Sequence, residues 1–495
     1  MVHTAKDLAV FLKKKGFIYP SCEIYGGVAG LYDYGHLGTL LKKNWENVWR
    51  EYFLGLNDNF FEIETANIAH ENVFRASGHL ENFSDPIVKC SKVGCDFSER
   101  ADHFVTKATG KRTEGWSPED LNLAIKADGL ICPTCKSVLA PCEAMNMMFP
   151  LNMGVGGRNR AYLRPETAQS PYVNFKIQHE ILRKKMPMGL ALIGRAYRNE
   201  ISPKSSPPRY REFTQAELQI FFNPSTVNVH PDFALVADYQ LNVLLEADRA
   251  GETVVVRTAA ALVALGLPQF YVYHLCKIQQ FYFDVLRINP IKFRLYQLDD
   301  SEKAFYNKYH FDLEIEMEEH GWVEVGGLHY RTDHDLGGHE RVSKVSMDVF
   351  DEVSQEKYIP HILECSFGVD RNVYALLDSG YVDDTTRGNV VLGLRPLIAP
   401  FVCAVLPLVK NKEEITTLAR SVLGAVKSVG KVYYDETGTV GKRYARADEQ
   451  GVPYCVTVDF ESLVDGCVTV RNRDTTVQDR VKIAELGSYL NAKKN

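Results

Sequence analysis

One segment of the chain concentrates the residue types that bind nucleotides. It reads GLALIGRAYRNEISPKSSPPRYREFTQAELQIFF and runs from Gly189 to Phe222. Two apolar runs flank a polar stretch rich in proline and serine, which predicts a long antiparallel hairpin. Arg198 and Glu200 are two residues apart, so we expect them on one face of the first strand. Guanidinium groups hold phosphate oxygens through paired hydrogen bonds.

The second half of this segment adds Arg209, Arg211, Phe213 and Glu217 on or just after the predicted loop. An aromatic ring placed there could stack on a purine. For any one of these residues, a solvated surface hairpin is the simpler interpretation. The segment as a whole favours a nucleotide site.

A second motif, HILECSFGVDR, runs from His361 to Arg371. Glu364 and Ser366 would project from one face of a strand, and Gly368 would begin a turn that places Arg371 at the start of a helix. Taken alone, the motif is typical of a core strand that leads into a helix, with the arginine in a structural ion pair.

The cysteines suggest a metal site. Cys90 and Cys95 form a C-x4-C pair, and Cys132 and Cys135 form a C-x2-C pair. Two such pairs separated by a few tens of residues predict a structural zinc ion with four thiolate ligands. Free buried thiols are the alternative, and Cys142 is close enough to serve as the fourth ligand instead.

Composition narrows the class of protein. The chain has 495 residues, of which 45% are hydrophobic and 24% charged, as in an ordinary globular protein of two or three domains. The net charge of −6 neither supports nor excludes nucleic-acid binding, which needs only a local basic surface. No apolar run approaches the roughly 20 residues of a membrane span. The stretch 1–16 has the pattern of a short amphipathic helix and lacks the continuous apolar core of a cleavable signal, so we expect a cytoplasmic protein without a membrane partner. In that reducing compartment, the eleven cysteines would be thiols or metal ligands.

Periodicity predicts a change of architecture near Pro396. Before it, an amphipathic helix is expected over 37–53, with Lys42, Lys43 and Glu46 largely on its polar face. After it, strands are expected at 401–406, 431–434, 454–459 and 467–471, with one helix carrying apolar residues over 415–426. This order predicts a compact α/β domain.

The two motifs resemble motifs two and three of class II aminoacyl-tRNA synthetases, in the expected order. Further segments resemble glycyl-tRNA synthetases, and together they span nearly the whole chain. They are EIYGGVAGLYDYG (Glu23–Gly35), RASGH (Arg75–His79), RPETAQ (Arg164–Gln169), GWVEVGGLHYRTDHDL (Gly321–Leu336), GKRYARADEQGVPYCVTVDF (Gly441–Phe460) and RNRDTTVQDR (Arg471–Arg480). The chain departs from the class at His36 and His70, where relatives often carry proline, and at Asp370, where many carry glycine.

The resemblance implies an α+β fold. A class II catalytic core, an antiparallel sheet flanked by helices, would occupy residues 1–393, with a zinc-knuckle-like insertion at 84–150. A C-terminal α/β anticodon-binding domain would occupy 394–495. The implied partners are a glycine tRNA and a second copy of the chain in a homodimer. The implied ligands are ATP, Mg²⁺ and a structural Zn²⁺.

The resemblance also implies roles for individual residues. ATP would be bound by Arg198, Asn199, Glu200, Arg209, Arg211, Phe213, Glu324, Val325, Gly368 and Arg371. Of these, Arg198, Glu200 and Arg371 would be catalytic, and Glu324 would be the magnesium-binding acid. Glycine would be bound by Arg100, Glu166, Phe213, Gln215, Glu217, Glu364 and Ser366. In the C-terminal domain, two basic clusters would meet the anticodon: Lys442, Arg443, Tyr444 and Arg446, then Arg471, Arg473 and Arg480.

The implied activity is the ATP-dependent attachment of glycine to tRNA through a glycyl-adenylate, with release of pyrophosphate and AMP. One alternative is a related synthetase for serine, threonine, proline or histidine, which the RPETAQ and RTDHDL segments disfavour. The other is a non-catalytic, nucleic-acid-binding relative. Such a protein is expected to lose its ATP arginines and its ammonium-binding acids, and this sequence retains both.

Overall fold

The computed structural model describes residues 4–113, 115–155, 159–201, 203, 209–251, 253–304, 306–352 and 354–494. Its α-helices are Ala5–Lys15 (α1), His36–Leu54 (α2), Glu71–Ala76 (α3), His79–Asn82 (α4), Ala101–Thr109 (α5), Pro118–Ala127 (α6), Gln169–Ile181 (α7), Ala259–Ala264 (α8), Gln269–Gln280 (α9), His334–Ser343 (α10), Val369–Gly380 (α11), Glu413–Val426 (α12), Val440–Glu449 (α13), Ser462–Asp465 (α14) and Leu486–Ala492 (α15).

Its strands are Ile18–Pro20 (β1), Tyr32–Tyr34 (β2), Phe60–Glu62 (β3), Ile68–His70 (β4), Ser84–Lys89 (β5), Ser98–Arg100 (β6), Glu143–Asn146 (β7), Pro150–Met153 (β8), Asn159–Leu163 (β9), Met188–Tyr197 (β10), Glu212–Phe222 (β11), Gln240–Leu244 (β12), Val255–Thr258 (β13), Phe293–Gln297 (β14), Tyr309–Met317 (β15), Gly321–Thr332 (β16), Val349–Asp351 (β17), Glu356–Tyr358 (β18), His361–Gly368 (β19), Tyr381–Asp384 (β20), Asn389–Leu392 (β21), Cys403–Pro407 (β22), Val432–Tyr434 (β23), Tyr454–Val458 (β24), Cys467–Asn472 (β25) and Gln478–Lys482 (β26).

A nine-stranded sheet forms the centre of the larger part of the chain. Its strand order is β13-β12-β14-β15-β16-β19-β11-β10-β3. Neighbouring strands are antiparallel except for the pairs β10–β3 and β12–β14. Helices α2, α9 and α11 contribute to the large apolar core that covers one face of this sheet. The predicted antiparallel sheet flanked by helices is confirmed.

The C-terminal part has a sheet and a core of its own. Five strands lie in the order β23-β22-β24-β25-β26, and β22 is parallel to both of its neighbours. Helix α12 packs Ile415, Ala419, Val422 and Val426 against these strands. The predicted α/β arrangement after Pro396 is confirmed, while the domain boundary at 393/394 remains a prediction.

Helix α2 packs more tightly than its sequence pattern predicts. The expected polar face is wrong for Lys42 and Glu46, which are both buried. Trp45 and Trp49 occupy the centre of the buried face. A Cβ atom on Gly38 would lie 2.1 Å from the carbonyl oxygen of Phe17, so the absence of a side chain allows the helix to approach that backbone.

The predicted hairpin of 189–222 is formed by β10 and β11, which pair from Met188–Phe221 to Tyr197–Glu212. Because β10 ends at Tyr197, Arg198 and Glu200 lie in the following loop, and their predicted place on the strand is wrong. The tip of the loop, at 202 and 204–208, lies outside the described residues.

The cysteine-rich segment forms a small subdomain. Strands β6-β5-β7 form a sheet, and helices α5 and α6 pack on it through Val88, Val105, Leu121 and Ile125. The limits of 84–150 remain a prediction. Within the described part of the chain, no helix combines the length and the apolar character needed to cross a lipid bilayer.

Candidate active site

Three neighbouring strands form the floor of the site. Glu217 on β11 lies opposite Ser366 on β19, and Gln219 on β11 lies opposite Glu364. Glu364 in turn lies opposite His329 on β16. Side chains two positions apart on a strand share a face, so these residues from distant parts of the sequence project from one side of the sheet.

An irregularity in β16 extends this floor. Leu313 and Glu314 are consecutive on β15, but their partners on β16 are Gly326 and Glu324. Val325 is therefore an extra residue, and a bulge of this kind reverses the alternation of side chains beyond it. Glu324 consequently faces the same side of the sheet as His329.

A cavity lies over this floor at the end of the hairpin. It is lined by Arg198, Glu200, Arg209, Tyr210, Phe213, Thr214, Gln215, Glu324, Val325, Gly326, Ser366, Gly368, Asp370 and Arg371. Most of the residues predicted to bind ATP are in this set. Three arginines and a phenylalanine around one cavity provide both phosphate-binding groups and a stacking surface.

The arginines of the cavity are oriented by neighbouring groups. Arg198 donates from Nε to the carbonyl oxygen of Pro165 at 3.1 Å, and its guanidinium carbon lies 5.2 Å from the centroid of the Phe213 ring. Arg371 donates to the Glu324 carboxylate at 3.1 Å. Nη1 of Arg209 lies 3.9 Å from the Glu200 carboxylate.

Two predicted ATP residues lie outside the cavity lining. Arg211 donates to the backbone carbonyl oxygens of Glu200 and Ala29, so it braces the loop. The backbone N–H of Asn199 donates to the carbonyl oxygen of Met147 at 2.7 Å. Of the two arginines predicted to reach the outer phosphates, Arg209 lines the cavity and Arg211 does not.

Beyond the cavity, Arg331 lies close to two glutamates, the buried Glu364 at 3.2 Å and the largely buried Glu166 at 3.8 Å. Glu364 accepts from Arg331 at 3.2 Å, and His329 Nδ1 lies 2.6 Å from its other oxygen. Burial opposes its ionisation, but Arg331 and His329 lower the pKa of Glu364 to about 2. Glu166 also lies 3.5 Å from His79 Nε2. Burial opposes its ionisation, but His79 and Arg331 hold the pKa of Glu166 below its usual range.

Glu217 lies beside these two acids but has only neutral hydrogen-bond partners in its own contacts. It accepts from Ser366 at 2.9 Å and from Gln219 at 3.2 Å. Burial, followed by the charges of Glu364 and Glu166, raises the pKa of Glu217 to about 8. Among the described residues, Glu217 is therefore the acid of this group whose hydrogen bonds come from neutral donors alone.

Arg100, a predicted glycine contact, does not line the cavity. It pairs with Asp102 at 2.6 Å and with Asp85 at 3.2 Å. The Asp102 hydrogen bond raises the pKa of Arg100 most, and the charges of Asp85, Asp102 and Glu200 raise it further. Because Glu200 lines the cavity, Arg100 interacts electrostatically with the site from outside it. Gln215 lines the cavity, and its side-chain oxygen accepts from the N–H of Thr167 at 3.1 Å.

The sequence interpretation missed the cations and amides that hold the acids in place. Arg331 bonds Asp335 at 2.8 and 3.0 Å, and Gln219 links Glu217 to Glu364. Tyr172 donates to Gln219 at 2.7 Å. One signal was available in the sequence. His329 and Arg331 lie two positions apart in the segment GWVEVGGLHYRTDHDL, so on a strand both would face the same side.

The four predicted zinc ligands come together in the cysteine-rich subdomain. The sulfurs of Cys90, Cys95, Cys132 and Cys135 all lie within 4.8 Å of one another. Two of the separations are 3.4 and 3.7 Å. Four thiolates bound to one zinc ion at about 2.3 Å are expected to be about 3.8 Å apart. The residues therefore fit a tetrahedral zinc ion, and Cys142 lies outside this group.

The predicted anticodon contacts are wrong for three arginines, which are buried. Arg443 and Arg473 are each 2% exposed, and Arg471 is 7% exposed. Arg471 forms a two-point ion pair with Asp448, and Arg473 donates to the carbonyl oxygens of Gly451 and Leu394. These side chains stabilise the C-terminal domain and its contact with the preceding segment.

Comparison with known families agrees with this geometry. A model of the tRNA synthetase class II core domain (G, H, P, S and T) matches residues 155–380, and a model of an anticodon binding domain matches residues 402–493. Among solved structures, a prolyl-tRNA synthetase from Cryptosporidium parvum in complex with L-proline and AMP aligns with a TM-score of 0.58. That alignment covers 100% of this chain and 76% of the other at 13% identity, and it shows a shared fold.

Sequence relatives are much closer. The glycine–tRNA ligase of Pyrococcus horikoshii is 37% identical over 96% of each chain. That of Thermococcus sibiricus is 37% identical over 99% of this chain and 98% of its own, and that of Aeropyrum pernix is 35% identical. Identity at this level along almost the entire length, together with the class II core, shows that the chain belongs to the glycine–tRNA ligase family.

Proposed function

We propose that this chain activates glycine with ATP and transfers the glycyl group to its tRNA. The observation that supports this most directly is the buried Glu217. Its carboxyl group lies next to two acids that already have cations, at the end of a cavity lined by arginines. An α-ammonium group bound at Glu217 would place the attached carboxylate toward that cavity.

The proposed chemistry requires alignment more than acid–base catalysis. A carboxylate oxygen of glycine attacks the α-phosphorus of ATP, the bond from that phosphorus to the bridging oxygen breaks, and pyrophosphate leaves. Arg198 and Arg371 would stabilise the negative charge that develops on the phosphate oxygens. A ribose hydroxyl at the tRNA end then attacks the glycyl carbonyl carbon, and AMP leaves.

We assign the nucleotide to the cavity. Phe213 and Arg371 would bind the two faces of the adenine ring, Glu200 its amino group, and Arg209 the outer phosphates. Glu324 is exposed and offers carboxylate oxygens, the ligand type that Mg²⁺ prefers, so it would hold the ion. When bound, Mg²⁺ neutralises phosphate charge.

The proposal is tested by ATP–pyrophosphate exchange with the purified protein and each standard amino acid in turn, without tRNA. We expect exchange with glycine alone, because a site that selects the smallest amino acid must reject larger side chains by steric clash. Exchange with another amino acid would keep the class and contradict the assignment of the substrate. A folded protein that shows no exchange would support the non-catalytic relative.

The raised pKa of Glu217 predicts a pH dependence. The ammonium group binds the ionised carboxylate, which is the minor form below a pKa of about 8. The KM for glycine should therefore fall as pH rises from 7 toward 8.5, by up to about tenfold per pH unit below the pKa. In Glu217→Gln, KM should be high and independent of pH.

Glu212→Gln is the matched control for this prediction, because Glu212 is half-buried on the same strand and its ion pair among the described residues is with Arg195, away from the acids of the site. It should keep the pH profile of the parent protein. A KM for glycine that is flat across this range in the parent protein would contradict the role of Glu217.

We also propose that the four cysteines bind a structural Zn²⁺. Elemental mass spectrometry of the purified protein should find one zinc ion per chain. Cys132→Ser should lose the ion and unfold at a lower temperature, because metal binding stabilises the small subdomain. Cys142→Ser is the control and should keep the zinc. Metal-free protein that unfolds like the parent would refute the site.

The cytoplasm is the compartment that we propose, because a site of four thiolates requires reduced cysteines.

A homodimer is proposed from an exposed apolar stripe on α7. Val173, Ile177 and Ile181 are 42%, 58% and 63% exposed, at a spacing of four residues. Ile181 and Phe61 border the same surface groove, and Phe61 lies on β3, the edge strand of the large sheet. An apolar surface beside an unpaired strand edge is suited to a second copy of the same chain.

Analytical ultracentrifugation tests this surface. The parent protein should sediment as a dimer and Ile177→Glu as a monomer, since the new charge would be buried without a partner. Leu123→Glu, on an exposed apolar residue of the cysteine-rich subdomain, should remain a dimer. A dimer that survives the Ile177 change would place the interface elsewhere.

A further inference from the structure

The nucleotide cavity rests on a buried group of charged residues that none of the assigned roles uses. Lys42 of α2 is 6% exposed and Asp370 of α11 is 3% exposed. Nζ of Lys42 lies 2.7 Å from Asp370 Oδ1 and 2.7 Å from the hydroxyl oxygen of Thr214. The ion pair is therefore also bonded to β11.

Asp370 accepts hydrogen bonds from three separate elements. Besides Lys42, the hydroxyl of Tyr34 at the end of β2 donates to Oδ1 at 2.6 Å. The backbone N–H of Thr214 donates to Oδ2 at 2.5 Å. Burial disfavours its ionised form, but Lys42 and these hydrogen bonds hold the pKa of Asp370 below its usual range.

The two residues that would hold the adenine ring are the sequence neighbours of this group. Phe213 precedes Thr214 on β11, and Arg371 follows Asp370 in the first turn of α11. Both line the cavity. Because the Asp370 carboxylate is bonded to the backbone of Thr214, it fixes the start of α11 relative to the end of β11 that carries Phe213.

Stability alone is a weak reason for such an arrangement. Replacing a buried ion pair with apolar residues of similar volume is often neutral or stabilising, whereas charges with several directional partners specify one geometry. We propose that Lys42 and Asp370 are positioning residues for the nucleotide: they set the separation of Phe213 and Arg371. This inference rests on the proposed function, because it assumes that ATP binds in the cavity.

The KM for ATP and the KM for glycine, each measured by pyrophosphate exchange with the other substrate saturating, distinguish this role from a general loss of structure. In the double variant Lys42→Met/Asp370→Asn, which leaves no buried charge unpaired, the KM for ATP should rise about tenfold or more. The KM for glycine should stay within about twofold, since the acids at Glu217 are held by other residues. Tyr34→Phe removes one hydrogen bond and should raise the KM for ATP in the same direction.

Glu51→Gln is the matched control, because Glu51 is exposed on the same helix and faces away from this buried group. It should leave both KM values unchanged. An unchanged KM for ATP in the folded double variant, or equal increases for ATP and glycine, would overturn the inference. If the double variant does not fold, Tyr34→Phe decides in the same way. A parent protein without glycine-dependent exchange would instead refute the proposed function.

Discussion

A buried carboxyl group whose described hydrogen-bond donors are neutral is the constraint around which this site is arranged. Removing a charge from water is costly unless an opposite charge replaces the lost hydration. Arg331 lies near both Glu364 and Glu166, and His329 contacts Glu364, whereas the described hydrogen-bond donors to Glu217 are neutral. Burial and the neighbouring acids therefore raise the pKa of Glu217. In the proposed function, the ammonium group of the substrate would bind at this carboxylate.

The sheet makes this arrangement possible because it fixes where each acid lies. Glu217, Ser366, Glu364 and His329 come from three strands whose register is set by continuous backbone pairing. The same sheet continues to the cavity, so an ammonium at one end and a nucleotide at the other would have a fixed relative position.

The nucleotide end depends on contacts that reach outside the sheet. Arg198 is oriented by Pro165, and Arg211 braces the loop that carries Glu200. The Lys42–Asp370 pair ties α2 to the same region. Helix α2 also donates from Asn44 to the carbonyl oxygen of Ala399, in the segment that leads to the C-terminal domain. Groups far apart in sequence therefore support one cavity.

The sequence predicted the family, the antiparallel sheet, the C-terminal α/β domain and the grouping of the four cysteines, because long motifs and ligand spacing carry that information. It did not predict the burial of Lys42 or Arg443, since a pattern of polar and apolar residues treats every charge as exposed. The face of Glu324 depends on the bulge at Val325, which no local pattern indicated. The cations that pair with the acids depend on strand register, which is a tertiary property.

If glycine replaces a proton at Glu217 when it binds, calorimetry will detect the released proton. Glycine is titrated at pH 7 into protein saturated with a non-reactive ATP analogue, in two buffers of different ionisation enthalpy. The difference in the observed heat gives the number of protons released. We expect about one proton per bound glycine in the parent protein and none in Glu217→Gln. Glycine binding without proton release in the parent protein would contradict the proposed role of Glu217.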